Sequence, residues 1–339
     1  MTDLTRPVLD PEVEAAVTTN SAGDNSPTRM GTQSLTPDGI PALREQALSL
    51  SASDETLRHG GRLEFEEFSI PGFEGGPDVP VLVLRPTEGG SRPRPGICFT
   101  HCGGKVASGT RMAVDILGLL DWVADFNVVA VVVAVRVGPE HPHPAQVHDG
   151  YAGLLWVAEN AASLGIAQDR IALFGASGGG GVAAATALLA RDRGGPAVSH
   201  QVLLSPMLDD REITVSSHFE DVIWDRTSNR TGWSAILGDA CGGPEVSPYA
   251  APSRATDLSG LPPAYLDAGS ADTFRDETID YGARLAQAGV PVDLHIWAGA
   301  MHGSEGVAPK AEVTRAAITA RLSYLRRIFG PTPIGLDAG

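Results

Sequence analysis

Ile171-Ala-Leu-Phe-Gly-Ala-Ser-Gly-Gly179 decides how this 339-residue chain folds. Four apolar residues run into a G-x-S-x-G pattern, and the residues from Gly178 to Arg191 read as a helix. A serine between a strand and a helix must take a strained backbone conformation that lifts its hydroxyl above the sheet. The residues two before and two after it crowd each other, which asks for glycine at 175 and 179. Four successive glycines, 178–181, open the helix at about 1 kcal/mol each relative to alanine. Close backbone packing and an approaching substrate account for that cost, and the helix amino terminus favours negative charge beside Ser177. A phosphate loop would need a lysine that this turn lacks.

On either side of this turn, strand-like and helix-like segments alternate. Leu63–Ile70 and Val79–Leu84 flank the turn-forming PGFEGGPD and suggest an antiparallel pair. Gly96–Thr100, Val128–Val135, Arg170–Phe174, Gln201–Leu204, Ala264–Ala268 and Val292–Trp297 read as further strands. Helices are expected at Ile40–Leu50, Arg111–Asp125, Gln146–Ser163, Thr273–Ala288 and Ala311–Ile328. Such alternation implies an α/β fold, a mostly parallel sheet with helices on both faces, and ligands beyond the carboxyl ends of the strands. Residues 207–248 break the rhythm. They read as an insertion that folds over the site together with residues 1–62, which include the polar stretch Thr18–Thr36; residues 63–206 and 249–339 form the catalytic domain.

Composition narrows the function. Hydrophobic residues make up 42% and charged residues 19%, as in an ordinary soluble globular protein. A net charge of −16 repels phosphate backbones and anionic lipid surfaces, so neither nucleic acid nor membrane is expected as a partner. The apolar run Val128–Val135 is too short to span a bilayer, which takes about 20 residues. The first residues carry acids and prolines where a secretory signal needs a basic flank and an apolar run. Cys98, Cys102 and Cys241 form neither a disulfide framework nor a metal-ligand spacing. A reducing, cytoplasmic setting is expected.

A nucleophilic serine needs a base, and the base needs an acid to fix its tautomer. Where Ser177 stands as nucleophile in this fold, the chain order is Ser, then Asp or Glu, then His. Of the histidines beyond it, His200 comes too early, His218 lies in the insertion and His295 lies within a strand. His302, in Gly299-Ala-Met-His-Gly303 after the last strand, is the expected base. Asp272, at the carboxyl end of Ala264–Ala268, is the expected acid; Asp276, one helical turn later, is its main rival, and a plain helix N-cap is the alternative role for Asp272. His101-Cys102-Gly103-Gly104 follows the strand ending at Thr100. Its glycines let the backbone approach a developing oxyanion, Gly178 supplies another N–H, and His101 reads as a scaffold residue that hydrogen-bonds the turn.

Taken together, these segments resemble the hormone-sensitive-lipase-like carboxylesterases, the bacterial branch of the α/β-hydrolase fold that carries a cap. The resemblance rests on HCGG at 101–104, Arg136-Val-Gly-Pro-Glu-His-Pro-His-Pro144, GASGG at 175–179, Ser247-Pro-Tyr, Leu261-Pro-Pro, Ala271-Asp-Thr-Phe-Arg-Asp-Glu277, Ala288-Gly-Val-Pro-Val292 and Met301-His-Gly303. It spans residues 63–328. It implies Ser177, Asp272 and His302 as the triad and Gly103, Gly104 and Gly178 as oxyanion donors. It also implies no cofactor, a cap built from the N-terminal segment plus the insertion, and frequent homodimers.

The sequence departs from the family at Cys102, where glycine is usual, at Ala176, where aspartate or a hydroxyl residue is usual, and at Lys105, where an aromatic often stands. These three are candidate pocket residues. Lys105 reads either as a solvated surface lysine or as a group selecting a carboxylate-bearing substrate. The expected activity is hydrolysis of small to medium esters through an acyl-enzyme. A lactonase or an acyltransferase using the same triad is the alternative. A non-catalytic binder, as in plant hormone receptors resembling this family, tends to lose the base that His302 supplies here.

Overall fold

The computed structural model describes residues 6–22, 34–88, 92–112, 118–220 and 222–330. Among them, nine strands form one sheet: β1 (Leu63–Ile70), β2 (Val79–Pro86), β3 (Arg94–Gly103), β4 (Ala107–Ser108), β5 (Val129–Val133), β6 (Ile166–Ser177), β7 (His200–Leu204), β8 (Ala264–Gly269) and β9 (Val292–Trp297). The order is β1-β2-β5-β3-β6-β7-β8-β9, with β4 paired to β3 alone. β1 and β2 are antiparallel to each other, as their intervening turn demands, and β2 is antiparallel to β5. From β5 to β9 every neighbouring pair is parallel.

The central strands are apolar on both sides because both sides are covered. Val129, Val131 and Val133 join Ile171 and Leu173 in one core, against Val147, Tyr151 and Leu154 of helix Ala145–Glu159. Ala130, Val132, Ala172 and Phe174 face the other way, against Leu119 and Val123 of helix Leu119–Asp125 and Tyr324, Leu325 and Phe329 of helix Glu312–Phe329. Two smaller clusters lie beyond the strand ends. One joins Val13 of helix Pro11–Ala22 to Ile223, Ala271 and Met301. The other joins Met207, Trp233 and Ile236 to Phe274, with Trp224 packed against it. Residues 34–35 tie to the 207–248 stretch directly, through Leu35 N–H to Ser228 Oγ at 2.8 Å and Thr231 Oγ1 to the Leu35 carbonyl at 2.8 Å.

Several sequence expectations shift. Among the described residues, the helix expected over Arg111–Asp125 is seen at Leu119–Asp125, after Gly118 at φ +80°; residues 113–117 lie outside the described set. The helix expected at Gln146–Ser163 divides into Ala145–Glu159 and Ala161–Leu164. β3 and β6 both run past their predicted ends, to Gly103 and Ser177, because they pair with each other as far as Cys102 opposite Ser177. The stretch 101–104 is therefore the end of a strand and the start of a hairpin, not a free loop. Residues 207–248 contain a helix the sequence pattern did not signal, Arg226–Leu237, whose N-cap Asp225 accepts from Ser228 N–H. Most of Thr18–Thr36, namely 23–33, lies outside the described residues, as does the side chain of Cys102.

Candidate active site

Ser177 ends β6 and adopts φ +56°, ψ −127°, a strained backbone for a residue with a side chain. The constraint on either side is steric. A β-carbon on Gly175 would stand 2.3 Å from the Gly179 carbonyl oxygen, and one on Gly179 would stand 2.3 Å from that of Thr100. Thr100 Oγ1 donates to the Gly179 carbonyl at 2.8 Å, pinning helix Gly178–Arg193 to β3.

Asp272 and His302 come from the loops after β8 and β9, and those loops are laced together. Ala271 N–H donates to the Ala300 carbonyl at 3.0 Å, and Gly299 N–H to Ser270 Oγ at 2.8 Å. This brings His302 Nδ1 to 2.9 Å from Asp272 Oδ2, and His302 Nε2 to 3.1 Å from Ser177 Oγ. Asp272 is fully buried, and its other oxygen accepts from Phe274 N–H at 2.9 Å. An ionised carboxylate accepts only, so Nδ1 carries the proton and Nε2 is left to accept from the serine. Burial opposes a charge on His302, but Asp272, by charge and hydrogen bond, together with Glu305, outweighs it and raises the imidazole pKa above its ordinary value. The ring of Phe274 meets His302 edge-on at 5.2 Å.

The remaining candidates are separated by the fold. Asp276 accepts from Ser216 N–H and pairs with Arg275, so the rival acid faces away from His302. His200 packs on Tyr324, His218 Nδ1 lies 2.8 Å from the Thr214 carbonyl, and His295 stacks on Trp297. His101 is in β3 and does not hydrogen-bond the turn through Nδ1, which is buried and without a partner. Burial, with the charge of His302 close by, pushes its pKa down to about 4, so it is neutral.

Gly103 ends β3 and a tight hairpin follows. Val106 N–H closes it on the Gly103 carbonyl at 3.0 Å, and β4 returns along β3. Gly104 and Lys105 both have positive φ, +52° and +66°, the signature of a type I′ turn. Gly104 also has no room for a side chain: its β-carbon would fall 1.6 Å from Cη2 of Trp224. Ala176 is buried among the apolar residues beneath β6. Lys105 is not a solvated surface lysine. It is 1% exposed, with Nζ 4.7 Å above the Trp233 ring. The positive φ of its turn directs the chain inward, and its apolar stem packs into the core.

Sequence reasoning missed Trp224, whose indole covers Gly104 and whose carbonyl accepts from Thr273 Oγ1, one residue past Asp272. It also missed Arg321, 6% exposed, which binds both oxygens of buried Asp267 and pairs with Glu305. No local signal marks either residue, because each meets its partners through chain folding alone.

The comparisons agree with this architecture. A family model for the alpha/beta hydrolase fold matches residues 97–305. The chain is 34% identical over 303 residues to the carboxylesterase NlhH of Mycobacterium tuberculosis, covering 86% of this chain and 90% of that protein. Among solved structures, a bacterial heroin esterase is 36% identical, with a TM-score of 0.85 over 96% of this chain and 99% of its own. The esterase LipW of Mycobacterium marinum is 29% identical, with a TM-score of 0.79 over 97% and 99%. The chain thus belongs to the hormone-sensitive-lipase-like carboxylesterases of the α/β-hydrolase fold and is an ester hydrolase.

Proposed function

We propose that Ser177 is the nucleophile of a serine carboxylesterase, with His302 as its base and Asp272 as the group that holds the base. The observation that supports this is the unbroken contact series from Asp272 Oδ2 through His302 to Ser177 Oγ, at 2.9 and 3.1 Å. His302 Nε2 takes the hydroxyl proton as Ser177 Oγ bonds to the ester carbonyl carbon. The carbonyl oxygen becomes an oxyanion facing the N–H groups of Gly103, Gly104 and Gly178. Imidazolium at His302 then gives its proton to the leaving alcohol as the C–O bond breaks. Water, deprotonated by the same nitrogen, attacks the acyl-enzyme, and the acid leaves as Ser177 recovers its proton.

In this reading, residues 1–62 and 207–248 act as a cap over the strand ends, and residues 63–206 and 249–339 form the catalytic domain. The clusters around Val13, Ile223 and Met301, and around Trp233 and Phe274, support that division, since both bridge the proposed cap to the loops of the triad. The similarity to carboxylesterases and esterases supports small to medium esters as substrates. No helix among the described residues is long and apolar enough to cross a membrane, and the free thiols of Cys98 and Cys241 suit a reducing, cytoplasmic setting. A fluorophosphonate probe tests the assignment: label on the wild type and none on Ser177→Ala supports it, and equal label on both rejects it.

A further inference from the structure

Two cations that take no part in the triad grip the hairpin of Gly103 and Gly104 from different sides. Arg44, on helix Ile40–Ser49, donates from Nε to the Val106 carbonyl at 2.7 Å and from Nη2 to the Gly138 carbonyl at 2.6 Å. Glu140 fixes the guanidinium with both oxygens, at 2.8 and 2.7 Å. The two segments Arg44 spans are themselves joined, Gly138 N–H donating to the Lys105 carbonyl at 3.0 Å. The Lys105 carbonyl is therefore tied to Gly138 directly and the Val106 carbonyl through Arg44.

Lys105 holds the same turn from within. Its φ of +66° disfavours any residue with a β-carbon, by about 1–2 kcal/mol. A glycine would remove that strain. The lysine stem instead runs into the core, where Nζ stands over Trp233 and 3.0 Å from the place a β-carbon on Gly181 would take. It borders a small space shared with His143, Gln146, Gly181, Ile236 and Tyr249, whose lining includes none of Ser177, Asp272 and His302. The ammonium thus sits between Gly181 of helix Gly178–Arg193 and the Trp233 ring, in a space that no triad residue lines.

We propose that Arg44 and Lys105 are positioning residues of the ester-hydrolysing site, clamping the hairpin between the N-terminal helix and the core so that the Gly103 and Gly104 N–H groups stay aimed at the oxyanion. This rests on the oxyanion assignment above. Peptide donors are effective only where charge develops, and a two-residue turn loses that aim when its flanks are released. A shift of about 1 Å at such a site costs on the order of a hundredfold in rate.

The test uses Arg44→Met, Arg44→Lys and Lys105→Met in the full chain. It reads kcat and KM on p-nitrophenyl acetate, and affinity for a trifluoromethyl ketone against the matching methyl ketone. For both methionine variants, kcat and the preference for the trifluoromethyl ketone should fall together, by about ten- to a hundredfold, with KM nearly unchanged. Arg44→Lys, which keeps a donor for the Val106 carbonyl, should recover part of the loss. Folded variants with wild-type kcat and wild-type ketone preference would overturn the proposal, as would a change confined to KM, which would mean contact with substrate. Should Arg44→Met not fold, Arg44→Lys and Lys105→Met decide. If the wild type itself does not distinguish the two ketones, the oxyanion assignment falls instead.

Discussion

The indole of Trp224 fills the space that a side chain on Gly104 would need, the ideal β-carbon lying 1.6 Å from Cη2 and 1.9 Å from Cζ2. A residue of the 207–248 stretch therefore presses directly on the hairpin beside Ser177. Gly104→Ala should lower kcat on p-nitrophenyl acetate by about a hundredfold, as loss of an oxyanion donor does. Adding Trp224→Ala should restore part of that activity, because the collision is gone and only the cost of φ +52° remains. A double variant as impaired as the single one would mean that the backbone, not the collision, dictates glycine.

Asp272 and Asp276 differ in what they face. Asp272→Asn should lower kcat by about four orders of magnitude, because an amide cannot hold His302 in the tautomer that accepts from Ser177. Asp276→Asn should stay within about threefold, its partners being Ser216 and Arg275. Equal losses in steady-state kinetics would refute the assignment of the acid.

The pH profile follows from the charges around His302, namely Asp272 in contact, Glu305 close by and neutral His101. Protonated His302 cannot take the proton of Ser177, so kcat/KM should fall as pH drops through its raised pKa. The acid limb should therefore lie above about pH 6.5, the unperturbed imidazole value. Glu305→Gln removes one of the charges that raise it, so the limb should move to lower pH. A limb that moves upward, or not at all, would contradict this electrostatic account.

Arg321 carries a stability prediction. Its guanidinium satisfies Asp267, which is fully buried and also accepts from Tyr265 OH at 3.0 Å. Arg321→Met leaves that carboxylate without its counter-charge and should cost about 3–5 kcal/mol in urea unfolding at neutral pH. Adding Asp267→Asn should recover part of the loss, since the fully buried carboxylate that Arg321 binds through both oxygens is then neutral and only Glu305 keeps an unpaired charge. Without that recovery, the arginine acts by packing and not by charge.

Much of the geometry of the candidate site was legible residue by residue. Gly175, Gly179 and Ser177 follow from a strand-to-helix turn that local sterics specify, and chain order with strand ends singled out His302 and favoured Asp272 over Asp276. Of the two readings of Lys105, the solvated one fails: its type suggests water, whereas its positive φ places it in a tight turn and its side chain is buried beside the Trp233 indole.

The sequence alone determined the alternation of strands and helices, the parallel sheet and the turn that bears the serine, since periodicity and backbone sterics act over a few residues. Tertiary structure decided which aspartate meets His302, that Arg44 reaches Val106, and that Trp224 lies on Gly104. Those partners are separated by 30 to 120 positions along the chain, and only the folding of the loops and of the 207–248 stretch brings them within contact distance.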